Sequence, residues 1–226
     1  MLSNRLALAA DLYEPCALGA DIGTDHALLP CHLLEKGICG RMILSDISPK
    51  ALQHARAQVT ARGLTDRVTL LCAPGLEALR GTPCGCVSVM GMGGETIAEI
   101  LRGSSGELRG AVLILSPQTE LPLVRGAALA LGYRPEAERL CMDGGRYYQV
   151  WRFVPGEWKP DAEELRYGRL LYETASPMLG GFLAHRVRVT ESRLRGLERG
   201  GETSGAAWRE AQEDLAFYRG KQRGAE

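Results

Sequence analysis

The chain has 226 residues, with 27 basic and 27 acidic side chains, 45% apolar and 24% charged. That length buries a sizeable core and suits one α/β domain with a smaller appendage, and the ordinary composition argues against disordered and fibrous classes. Zero net charge gives no global field for a polyanion, and the apolar runs are too short to span a bilayer, so a cytoplasmic protein without a membrane role is expected.

Residues 4–13 have high helix propensity, with Ser3 or Asn4 as cap and Pro15 as stop. An apolar run at 16–18 leads into Ala20-Asp21-Ile22-Gly23-Thr24-Asp25-His26-Ala27-Leu28-Leu29-Pro30, which reads as strand, tight turn and helix start, the helix lasting to Lys36. A second strand at 41–46 ends in Asp46, and Ser48-Pro49 then sets a cap and first-turn proline for a helix to Gly63. Strands follow at 68–72, closed by Pro74-Gly75, at 84–90, followed by Gly91-Met92-Gly93-Gly94 and a helix to Arg102, and at 111–115, before Ser116-Pro117-Gln118. Leu121, Val124 and Leu131 mark a further helix. This alternation implies a parallel sheet with right-handed crossovers.

The pattern then changes. Strand-like segments at 138–142 and 146–153 flank Asp143-Gly144-Gly145, which predicts a β-hairpin. A parallel sheet finished by a hairpin, its last strand antiparallel, is the Rossmann-like layout of class I methyltransferases; a dinucleotide dehydrogenase continues with a second βαβαβ half. Residues 155–161 read as a linker, so the expected domains are 1–155 and 156–226. The second is helical, broken at Gly200-Gly201, with Trp208, Leu215 and Tyr218 on a return helix. The seven cysteines lack paired CxxC spacing and look like reduced core thiols.

Ligands of an open parallel sheet sit outside the carboxyl ends of its strands. The loops there offer Asp21, Gly23, Thr24, Asp25 and His26 after the first strand, Asp46 and Ile47 after the second, Pro74 and Gly75 after the third, and Gly91 after the fourth. Gly23 lets backbone approach a ligand, Asp46 can accept ribose hydroxyls, and Pro74-Gly75 can flank an adenine. The first loop lacks the third glycine of GxGxxG, and Asp25 would repel a diphosphate. It suits S-adenosylmethionine: Asp21 or Asp25 can face the ammonium, and His26 or backbone N–H groups the carboxylate.

The motif at 20–30, Gly91-Met92-Gly93-Gly94, Asp143-Gly144-Gly145-Arg146-Tyr147-Tyr148, and Tyr167-Gly168-Arg169-Leu170-Leu171 with Ser176-Pro177-Met178 further on together resemble the bacterial TrmK family. The similarity runs through nearly the whole chain. It implies a Rossmann-like catalytic domain, a coiled-coil-like C-terminal domain, S-adenosylmethionine as donor, and N1 of adenine 22 in the D-arm region of tRNA as target. Pro74 departs from the family, which usually has aspartate in a Gly-Asp-Gly segment, and Ser116-Pro117-Gln118 stands where Gln-Pro-Asn is expected.

N1 is a neutral lone pair, so in-line placement and exclusion of water are the main demands, with no dedicated general base required. N1 also lies on the Watson–Crick edge, so the adenine must be unpaired or extruded. Met92, Gly93 and Gln118 are expected to line the base pocket. Arg188, Arg195 and Arg199 fall near one helix face and form a candidate rail for tRNA phosphates, a solvated charged face being the plainer reading. Plainer readings also exist for Asp25 and His26 as helix cap, Asp46 as turn chemistry and Gly93-Gly94 as packing. A monomer is expected, with dimerisation through the tail left open, and no metal, since His32 lacks a second ligand at suitable spacing. The alternative functions are a methyltransferase of a small molecule or protein and a non-catalytic RNA-binding protein.

Overall fold

The computed structural model describes residues 2–104, 106–174 and 176–224. Strands β1 (Cys16–Ile22), β2 (Cys39–Asp46), β3 (Val68–Cys72), β4 (Cys86–Met90), β5 (Val112–Ser116), β6 (Tyr133–Asp143) and β7 (Arg146–Pro155) form one sheet in the order β3-β2-β1-β4-β5-β7-β6. The first five pair in parallel, and β7 runs antiparallel between β5 and β6. Gly144 and Gly145 both take positive φ, 53° and 77°, as a two-residue hairpin turn demands.

The central strands are apolar on both faces because helices cover both. On one face Val87, Val89, Leu113, Leu115, Trp151 and Phe153 pack with α4 (Gly94–Arg102) and α5 (Leu121–Ala130). On the other, Met42, Leu44, Cys86, Ile114 and Val150 pack with α1 (Asn4–Asp11), α2 (Leu28–Glu35) and α3 (Pro49–Ala61). The two sets alternate along each strand, which is the period-2 rule applied to two cores at once. Ser48 caps α3 by accepting from the Ala51 N–H, with Pro49 in the first turn.

Two compact units emerge, Met1–Leu171 and Tyr172–Glu226. The division falls after Leu171, whereas the Pro/Gly-rich linker had placed it after Pro155. The reason is a buried staple between α5 and β6. Arg125 and Glu138, each 1% exposed, pair at 2.8 Å, and the guanidinium also lies 4.2 Å from the Trp151 ring centre. Arg125 donates to the carbonyls of Arg166 and Tyr167, and Glu138 accepts from the Leu171 N–H, so α6 (Ala162–Tyr167) and the start of α7 (Leu170–Glu173) are tied to the sheet. Gly168 is obligatory there: its φ is +78°, and a Cβ would stand 2.5 Å from the Glu138 carboxylate oxygens.

In the second unit α8 (Leu179–Arg199) and α9 (Ala206–Gly224) pair through Arg193–Glu210 at 2.7 Å and Arg219–Glu191 at 2.8 Å. Gly201, at φ +77°, makes the break between them. Among the described residues no helix is long and apolar enough to cross a membrane.

Candidate active site

The carboxyl ends of β1 and β4 bring most of the expected residues to one cleft of about 330 Å³. Asp21, Gly23, Thr24, Asp25, His26 and Gly91 line it, joined by Arg5 from α1. Asp46 stands beside it, because the N–H groups of Gly23 and Thr24 both donate to the Ser45 carbonyl, at 2.8 and 3.0 Å. Its Oδ1 accepts from the Ser48 N–H at 2.7 Å, so the turn chemistry of Asp46 is real. Ile47 is 73% exposed at the same strand end, an apolar side chain that packing within the protein does not account for. Pro74 and Gly75 start a 3₁₀ turn after β3 and lie outside the residues lining the cleft; Pro74 is exposed.

Asp21 is held from behind. The Tyr13 hydroxyl donates to Ser88 Oγ at 2.7 Å, and Ser88 donates to Asp21 Oδ1 at 2.5 Å. Burial pushes the Asp21 carboxyl up; the Ser88 and Thr24 hydroxyls pull against that, and the Asp46 charge adds to it. Burial likewise raises Tyr13, which stays a donor. The one polar residue inside β4, Ser88 between Val87 and Val89, was the sequence signal for this chain of hydrogen bonds.

Arg5 carried no such signal. Its Nε and Nη1 are buried without a partner, and its guanidinium carbon lies 5.0 Å from the centre of the Tyr148 ring on β7. Those two nitrogens carry uncompensated desolvation, and the half-buried guanidinium is the cation that lines the cleft.

Asp25 and His26 do not cap α2. The cap position is Ala27, in the left-handed region at φ 49°, with no side-chain cap bond. Asp25 instead pairs with His54 Nδ1 of α3 at 3.1 Å and His26 Nε2 at 3.3 Å. The two imidazoles stack, 5.1 Å apart and within 10° of parallel. Ligand atoms of the three residues lie within 4.8 Å of one another, and all three residues are exposed. Ala27 and Glu120, the two non-glycine residues with positive φ among those described, start α2 and α5 on this edge of the sheet. Backbone strain of this kind, about 1–3 kcal/mol per residue, concentrates at functional sites.

The expected base-pocket residues meet at the mouth of β4. Gln118 donates through Nε2 to the Gly91 carbonyl and through its N–H to the Met92 carbonyl, both at 3.1 Å. Met92 packs over Gly23, where a Cβ would come within 2.7 Å of the Met92 methyl. Gly93 caps α4 in an extended conformation, and Gly94 serves packing, since a Cβ there would meet the Thr119 carbonyl at 2.1 Å.

Arg188, Arg195 and Arg199 are exposed on α8. Arg195 lies 4.0 Å from Glu191, while neighbouring Arg193 pairs with α9 and Arg186 covers the Tyr218 ring at 4.9 Å.

A methyltransferase-domain family matches residues 2–151. A tRNA (adenine(22)-N(1))-methyltransferase of Bacillus subtilis (strain 168) is 31% identical over 150 residues, which cover 66% of this chain and 63% of that relative. The match therefore spans less than two thirds of the relative's length. Sp1610 of Streptococcus pneumoniae, solved in complex with S-adenosyl-L-methionine, superposes with a TM-score of 0.86 at 27% identity over 98% of this chain and all of its own. The Bacillus subtilis TrmK crystal structure superposes equally well, TM-score 0.86, at 22% identity over 98% of this chain and 99% of that one, a likeness of fold.

Proposed function

This chain belongs to the methyltransferase-domain family, and we propose that it transfers a methyl group from S-adenosylmethionine to N1 of adenine 22 in tRNA. The observation that carries the donor half is the polarity of the cleft. The half-buried Arg5 guanidinium and the half-buried Asp21 carboxylate, braced by Ser88, line the same space. An amino-acid zwitterion needs one of each.

The donor supplies a sulfonium methyl, which a neutral ring nitrogen can take without first losing a proton. The Arg5 guanidinium, the cation on the cleft wall, faces the donor carboxylate, a role the sequence had offered to His26 or backbone N–H groups. Asp21, with Asp25 nearby, faces the ammonium. Asp46 accepts from the ribose hydroxyls, and Ile47 and the Pro74-Gly75 turn flank the adenine. Pro74 brings no carboxylate, so charge recognition of the nucleoside rests on Asp46. Gly91 and Met92, held by the two Gln118 hydrogen bonds, form the wall against which the target base is placed. Catalysis here is placement and exclusion of water, and no side chain has to move a proton.

The tRNA half rests on the Bacillus relative and on chemistry that suits it: exposed Arg188, Arg195 and Arg199, spaced seven and four residues apart, can follow a phosphate backbone. Incubating the protein with unmodified tRNA and donor carrying a tritiated methyl group tests the proposal. Label should enter tRNA in proportion to enzyme. Label entering small molecules or protein instead would reassign the substrate, and donor bound without any transfer would favour a non-catalytic RNA-binding protein.

A further inference from the structure

We propose that Cys16 and Cys39 form a redox-active dithiol, a modification site at which a hydroperoxide converts two thiols to a disulfide. The two residues open β1 and β2 and face each other in the parallel ladder, with their sulfurs 3.4 Å apart. Neighbouring strands lie about 4.7–4.9 Å apart, inside the range of about 4.4–6.8 Å between Cα atoms that a disulfide closes. Glycines leave the pair room: a Cβ on Gly85 would stand 2.7 Å from the Cys16 Cβ, and one on Gly19 would stand 3.0 Å from the Cys39 sulfur.

The two thiols are not equivalent. Cys39 is fully buried and Cys16 partly exposed, so an oxidant in solution meets Cys16. The hydrogen bond from Cys39 lowers the Cys16 thiol to about 7 against the opposing effect of burial, while Cys39 itself is raised. Cys16 is thus the attacking thiol and Cys39 the resolving one. Burial raises neighbouring Cys84, to about 11, and Cys86 as well, which keeps both out of the reaction.

With hydrogen peroxide the Cys16 thiolate attacks one oxygen; an S–O bond forms, the O–O bond breaks, and the departing hydroxide takes a proton to become water. Cys39 then attacks the Cys16 sulfenic sulfur; the S–S bond forms, the S–O bond breaks, and the departing hydroxide takes the Cys39 proton. Two thiols and one peroxide give one disulfide and two waters. The pair sits at the amino ends of strands whose carboxyl ends carry the cleft, about 20 Å away for a seven-residue strand. Oxidation fastens β1 to β2 without entering the donor site.

The test uses the full chain. At pH 7, iodoacetamide should label Cys16 roughly tenfold faster than Cys72, which is more exposed but has no thiol partner in reach. Stoichiometric peroxide should remove two of the seven free thiols and yield, on digestion without reductant, a peptide linked through Cys16 and Cys39. In Cys39→Ser, dimedone should trap a sulfenic acid at Cys16, with no link. Cys72 reacting first, or peroxide leaving the two thiols intact, overturns the proposal, and the labelling rates on unaltered protein decide it even where Cys39→Ser does not fold.

Discussion

Replacing Arg5 with methionine separates donor binding from stability more cleanly than any other change in the cleft. Arg5 presents two buried nitrogens that meet no protein acceptor. A hydrogen bond involving a charged group is worth about 1.5–3 kcal/mol, so losing two to the donor carboxylate costs about 3 kcal/mol at the lower end, roughly a hundredfold in Kd. The protein without donor responds in the opposite direction. Methionine relieves about 1–3 kcal/mol of uncompensated desolvation and gives up about 0.5–1 kcal/mol of cation–π contact with Tyr148. Calorimetric titration with S-adenosylmethionine should therefore show about hundredfold weaker binding, while thermal unfolding of the donor-free protein is unchanged or up to a few degrees higher. A Kd within threefold of the original would refute the placement of the Arg5 guanidinium against the donor carboxylate. A lowered Tm without donor would mean that the guanidinium has a protein partner after all.

Three further outcomes follow from the same geometry. Asp21 has a raised carboxyl, so its folded state holds the proton more tightly than the unfolded chain; that stabilisation is full below the unfolded carboxyl pKa and is lost as pH rises through the folded one. Since the donor ammonium needs the charged form, donor affinity should weaken as pH falls through the folded Asp21 pKa, with proton release on binding measurable by calorimetry in two buffers, and Asp21→Asn should abolish that dependence. Arg125→Met should destabilise by about 3–5 kcal/mol in urea unfolding by stranding the buried Glu138 charge, and the double change with Glu138→Met should recover most of it. Reversing Arg188, Arg195 and Arg199 to glutamate should weaken tRNA binding and flatten its salt dependence in filter-binding assays while donor affinity stays constant; unchanged tRNA binding at low salt would remove the rail.

The sheet was legible because its signals are local. β5 is five consecutive buried residues bounded by turn chemistry, and the paired glycines at 144 and 145 announce a hairpin whatever surrounds them. The strand-end loops followed from topology, which is why Asp21, Gly23 and Gly91 were expected at one crevice, and all three line the cleft. What stayed hidden joins residues far apart in sequence: Tyr13 reaches Ser88 across 75 positions, and Arg5 finds Tyr148. Periodicity tells which face a side chain takes and says nothing about the partner on the opposite element. The same limit moved the unit boundary. Pro155-Gly156 has the composition of a linker, but the Arg125–Glu138 pair holds the backbone at 166–171 beside the sheet, and only the tertiary structure brings those three segments together. At Asp25 and His26 residue type suited a helix cap, and the contact with His54 of α3 took precedence.

The central claim is a methyl group placed on one ring nitrogen of one nucleotide. A tRNA transcript with adenine at position 22, incubated with the protein and S-adenosylmethionine, digested and mapped by mass spectrometry, tests it directly. The account predicts 1-methyladenosine at position 22, and none in a transcript carrying guanine there. Methylation at another position, or on the exocyclic amine of adenine 22, would contradict it.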